Sequence, residues 1–213
     1  ETIYTMSMDE SLRFFDWFAH NYRLRLQEDE TQNGRRLIEV YRRELDDALR
    51  EKEAALLDAW IASPPESAFL LRETDAVQGT VVLEDLWLEG RTVQANDASA
   101  ATHGEVGQIL LAHPLPEHER VRLSGATVIL PGEEREGLLA FLDENWAAYQ
   151  AENEEATREA FLRERAYLLT HYALEWADRE QRPAVAADDP EAQRPGGKVM
   201  QRLAISGKLG ALA

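Results

Sequence analysis

The chain opens with apolar residues at helical spacing. Leu12, Phe15, Phe18, Tyr22 and Leu26 recur every three or four positions, which predicts a helix over residues 8–26. Phe14, Trp17 and Leu24 fall on the other side. A helix apolar on two faces either is buried on both or presents one face to a second chain. Phe14 and Trp17 are therefore candidate interaction residues. Ser7 or Asp9 is placed to cap the helix start. Gln32-Asn33-Gly34 reads as a turn. A second helical stretch follows over residues 35–62, with Leu37, Tyr41, Leu45, Leu56 and Trp60 as its apolar positions. Glu39 with Arg43, and Asp46 with Arg50, give it a salt-bridged outer face. Asp46-Asp47 offers a restart that would split the stretch in two. Ser63-Pro64-Pro65 ends it, because proline cannot continue the hydrogen-bond ladder.

The period then drops to two. Phe69 and Leu71, Val81 and Leu83, Thr92 to Gln94, Ile109 and Leu111, Val121 and Leu123, and Val128 and Leu130 mark short strands bounded by glycines and prolines. Glu89-Gly90 reads as a hairpin turn, and Pro114 and Pro116 read as the stop after Ile109–Leu111. Five or six short strands in so little chain suit a small curled sheet or a partly open barrel. After Pro131-Gly132 the helical period returns through Leu138, Leu142 and Trp146, then Phe161, Leu168, Leu169, Tyr172 and Trp176. A break near Glu152-Asn153 would turn this run into a hairpin of two helices.

The expected fold is therefore α+β. N-terminal helices occupy 1–63, and a small central antiparallel sheet or partly open SH3- or OB-like barrel occupies 64–131. A C-terminal helical hairpin occupies 132–182, and a linker with a weakly basic tail occupies 183–213.

Charge sharpens this picture. Forty acids oppose 23 bases, for a net charge of −17. Such a field repels phosphate backbones and anionic lipids and favours a protein partner with a basic surface. Only residues 183–213 run slightly basic, and Lys198, Arg202 and Lys208 of that tail are candidate contact residues. Arginine and alanine are common and lysine is rare, which suggests a GC-rich bacterial genome. There is no cysteine, which removes disulfides, thiolate metal sites and cysteine nucleophiles together. No window approaches a membrane span, and Glu1–Glu10 lacks the basic start and apolar core of a signal peptide. A cytoplasmic location and no membrane contact are expected.

Candidate chemistry is sparse. Glu164, His171, Glu175 and Asp178 fall within roughly 60° of one another on an ideal helix. Carboxylates and one imidazole on one face suit a divalent metal if a second helix adds ligands. They also border an apolar stripe, as the charged residues of any amphipathic helix do. Asp16 and His20, four residues apart, read as an ion-paired or hydrogen-bonded helix pair. His103, His113 and His118 lie in or near β loops, at spacings that match no metal-ligand pattern. Trp87, beside a hairpin turn, suits a stacking platform for a base or a proline; simple packing is the competing reading. Arg72, Arg91, Arg120 and Arg122 are too few for a continuous nucleic-acid track unless the fold clusters them. Phosphate-binding loops, dinucleotide fingerprints and nucleophile elbows are missing. No cofactor is expected.

Several short runs resemble a bacterial family of uncharacterised proteins often associated with SEC-C metal-binding motifs. They are Phe14-Phe15-Asp16-Trp17-Phe18 with Tyr22-Arg23-Leu24, Ala59-Trp60-Ile61-Ala62-Ser63, Val82-Leu83-Glu84-Asp85-Leu86, and Gly107-Gln108-Ile109-Leu110-Leu111-Ala112. The resemblance implies a layout and no reaction. The Cys-rich zinc tail of those proteins has no counterpart here, so no zinc role follows from it. The first functional expectation is a non-catalytic interaction or regulatory protein, docking a partner through the β module and the aromatic helix faces, with self-association as a companion. The alternatives are a nucleic-acid-associated module using the barrel or the tail, and a metal-dependent enzyme using the last-helix carboxylates and histidine.

Overall fold

The computed structural model describes residues 8–24, 34–45, 49–125 and 127–179. Three helices come first: α1 (Met8–His20), α2 (Leu37–Glu44) and α3 (Glu51–Ala62). A single sheet follows, made of β1 (Ser67–Asp75), β2 (Thr80–Asp85), β3 (Thr92–Asn96), β4 (Ile109–Ala112), β5 (Pro114–Glu117), β6 (Arg120–Leu123) and β7 (Val128–Leu130). The short helix α4 (Ala98–His103) is inserted after β3. The last elements among the described residues are α5 (Arg135–Glu152), α6 (Arg158–Arg165) and α7 (Tyr167–Arg179). The fold is α+β: helices flank a central sheet curled into half a barrel.

Strand order is β5-β6-β3-β2-β1-β4-β7. All neighbours are antiparallel except β3 and β6, whose single parallel register point is Asn96 with Arg122. The central strand β1 pairs with β2 on one side and β4 on the other, so that Phe69 faces Asp85 and Leu110. A strand in that position is covered on both faces and needs a continuous apolar run rather than an alternating one. Ser67 to Leu71 and Ile109 to Ala112 supply such runs, and all of these residues are buried. Successive side chains still point to opposite faces. Ile109 and Leu111 therefore join a core with Leu138, Leu142, Phe161, Leu169 and Trp176 of the C-terminal helices. Leu110 and Ala112 join a second core with Phe69, Leu83, Ala95 and the alanines of α4.

Three departures from the sequence reading have local causes. Pro114 and Pro116 do not stop the sheet; they lie in β5, which pairs only with β6 at the edge. An edge strand leaves one side of its backbone out of the ladder, so proline's missing N–H costs little there. The helix α4 has no apolar periodicity to announce it. It is started by Asp97, whose carboxylate accepts from the Ala100 amide at 2.8 Å. The C-terminal run does break at Asn153, but its second half is further divided at Ala166. There the Leu169 amide reaches the Ala166 carbonyl at 3.1 Å, the three-residue closure of a tightened turn. At the other end, α1 stops at His20, short of the expected residue 26. Among the described residues no helix is long and apolar enough to cross a membrane.

Candidate functional site

The helix α1 sits with its polar face turned inward. Arg13, Asp16, Trp17 and His20 share one side at i, i+3, i+4 and i+7 spacing. Arg13 and His20 are each 8% exposed, and Asn21 just beyond is 5% exposed. The opposite arc carries the aromatic residues. Phe15 is 62% exposed, Leu12 46% and Phe14 43%. Phe14, Phe15, Trp17 and Phe18 of the helix and Tyr22 just beyond it pack in a chain of ring contacts, with centroids between 5.1 and 6.3 Å apart.

Beneath α1 lies a seam of buried polar groups. The Arg13 guanidinium donates to Glu66 Oε1 at 2.7 Å and to the Thr170 hydroxyl at 3.0 Å, tying α1 to the entrance of β1 and to α7. Arg36, at the start of α2, donates to the Ile61 carbonyl at 2.8 Å and the His20 carbonyl at 3.4 Å, and pairs with Glu39 at 2.7 Å. The Trp60 indole of α3 donates to the Pro116 carbonyl of β5 at 2.7 Å.

Within the seam, Asp16, His20 and His113 converge. One donor atom from each lies within 4.8 Å of the other two, and this is the one such cluster among the described residues. His113, in the single-residue gap between β4 and β5, is 3% exposed, and its Nδ1 stands 3.2 Å from Asp16 Oδ2. The His20 ring meets it edge-on, with centroids 4.8 Å apart and planes at 87°. Nδ1 of His20 is buried without a hydrogen-bond partner; so are the indole nitrogen of Trp17 and the amide nitrogen of Asn21. Burial disfavours the charged form of His20, and with the neighbouring His113 it lowers the pKa to about 4, although Asp16 acts in the opposite sense. Burial would raise the Asp16 carboxyl, but the hydrogen bond and charge of His113, with His20 and Arg13, hold it below the usual carboxylate range. At neutral pH the seam therefore holds a neutral imidazole beside a carboxylate.

The residues singled out from sequence fare differently. Phe14 is exposed as an interaction residue requires, whereas Trp17 is half-buried on the inward side. Trp87 is no stacking platform: it is 1% exposed, and the Arg158 guanidinium lies 4.3 Å above its ring. Trp87 lies past the end of β2 and joins the core of the C-terminal helices, whereas Val81 and Leu83 join the other core, so strand alternation did not announce its burial. Among the described residues, Glu164, His171 and Glu175 of the last-helix set do not form a metal-ligand group. Glu164 accepts from the Tyr149 hydroxyl at 2.9 Å, while His171 and Glu175 are exposed beyond the tightened turn at Ala166. The Asp178 side chain lies outside the described residues, as do Lys198, Arg202 and Lys208. His103 and His118 are exposed and apart from His113. Of the four arginines of the β module, Arg72 pairs with Glu84, Arg91 with Asp85 and Arg122 with Glu117. Arg13, Arg36 and Glu66 were not anticipated, because their burial depends on elements far apart in the chain.

Residues 1–163 match the profile of a family of unknown function, DUF7986. The chain belongs to that family. The match spans α1, the whole sheet and α5, and ends within α6, so the polar seam lies in it except for Thr170. No curated protein and no solved structure matches the chain.

Proposed function

We propose that this protein is a non-catalytic interaction protein that docks a protein partner with a basic surface through the outward face of α1. The observation that carries this reading is the inverted amphipathicity of α1. Its polar side is buried against the fold, and Leu12, Phe14 and Phe15 face outward. A contiguous aromatic patch beside polar surroundings is characteristic of a contact surface. The net charge of −17 opposes close approach of a second copy and favours a cationic partner. The β module contributes as scaffold, since Trp87 is in the core. Nucleic acid is less well supported, because three of the four arginines in the module are engaged by carboxylates.

The test is affinity capture from the source cells with wild-type protein and with Phe14→Ser/Phe15→Ser, at low and high salt. Burying a phenylalanine is worth about 1.5–3 kcal/mol. Each substitution should therefore weaken a complex roughly 10–100-fold, and salt should weaken it further. A partner held equally by wild type and double variant would contradict the reading, as would a complex indifferent to salt.

A further inference from the structure

We propose that Asp16, His20 and His113 form a site for a first-row divalent ion of the zinc type, and that the ion fastens α1 to the sheet. The site is independent of the docking reading, since it lies on the opposite side of α1 from Phe14 and Phe15.

Two imidazoles and one carboxylate are the donors such an ion prefers, and three protein ligands leave a further position for water. Ligands at about 2.1 Å around a tetrahedral ion stand about 3.4 Å from one another. The 3.2 Å separation of His113 Nδ1 and Asp16 Oδ2 already matches that spacing. The widest separation in the trio, 4.8 Å, must close by about 1.4 Å. The three side chains must draw together by that amount when the ion binds.

A second observation points the same way. His20 is 8% exposed and its Nδ1 has no hydrogen-bond partner. A buried polar atom without a partner is costly, and an ion taken by Nδ1 would supply that partner. The nearby cations do not exclude an ion, because Arg13 is neutralised by Glu66 and Arg36 by Glu39, each pair at 2.7 Å. Asp16 and His20 belong to α1, and His113 lies 97 residues from Asp16 at the end of β4. An ion shared by the three would strengthen a junction now made by the Asp16–His113 contact, beside the Arg13–Glu66 pair.

Zinc and ferrous iron share this donor chemistry, so the experiment has an arm for each. Full-length protein stripped with a chelator is titrated with zinc, with cobalt(II) as the visible probe, and with ferrous iron under anaerobic conditions. The expected result is one equivalent bound, cobalt bands of low-symmetry intensity, and slower amide exchange in α1. Asp16→Asn and His20→Gln, checked for folding by circular dichroism, should each lose at least about tenfold in affinity, the lower end of what even an outer-sphere change costs. Folded wild-type protein that takes up no ion overturns the proposal. So does binding left unchanged in both variants, which would assign the ion to exposed histidines. Binding at the trio without slower exchange in α1 overturns the fastening role. If neither variant folds, wild-type stoichiometry and the cobalt spectrum decide.

Discussion

Acidification should weaken the fold through His20 before the carboxylates titrate. In the folded chain the His20 pKa is lowered from 6.5 to about 4, first by burial and then by His113. In the unfolded chain the ring takes a proton near the ordinary value. A depressed folded pKa means the contribution is complete above about pH 6.5 and is lost as pH falls toward about 4. The interval of roughly 2.5 units, at about 1.4 kcal/mol per unit, is worth on the order of 3 kcal/mol. Asp16 adds a loss of the same sign at lower pH, since its carboxyl is held below the usual range. The assay is urea denaturation followed by tryptophan fluorescence at steps between those two pH values, for metal-free wild type and His20→Gln. The slope is the readout, because the substitution also changes packing at every pH. Wild type should lose stability steeply across the window and the variant much less. Parallel slopes would refute the assignment of His20 as a buried neutral imidazole.

Other residues carry separate expectations. Asp85→Ala should destabilise by about 2–4 kcal/mol in denaturant titration. Its carboxylate accepts from the Trp87 and Leu88 amides and the Ser67 hydroxyl at 2.8–2.9 Å and pairs with Arg91, so its loss leaves those groups unsatisfied. Arg13→Met alone should cost about 3–5 kcal/mol by leaving the Glu66 carboxylate buried and uncompensated, whereas Arg13→Met with Glu66→Leu should recover most of it. Gly132→Ala should lower stability by about 1–3 kcal/mol, because a Cβ there meets the Gly107 carbonyl, a backbone atom that cannot swing aside.

Periodicity made the architecture legible and left the site hidden, for a physical reason. The change from helical spacing to alternation after Pro65, and back after Pro131, reflects how each element buries its apolar face, so element type could be read locally. The edge position of β5 was not local: whether Pro114 and Pro116 are tolerated depends on which strand lies beside them. The seam was harder still. Asp16 and His20 are visible as a pair on one helix, but nothing near His113 announces that the sheet returns it to them. Phe14 and Trp17 were read as lying together on the second apolar face of the helix. Their opposite exposures follow from Arg13, whose partners Glu66 and Thr170 decide which side turns in.

The docking claim is tested most directly by a photoreactive benzoylphenylalanine in place of Phe15, activated in the source cells and followed by mass spectrometry of the adducts. The account predicts an adduct to a protein with a basic surface, competed away by excess unlabelled wild type and not by Phe14→Ser/Phe15→Ser. Adducts confined to this chain's own residues would contradict it, because they would show the outward face of α1 already covered from within.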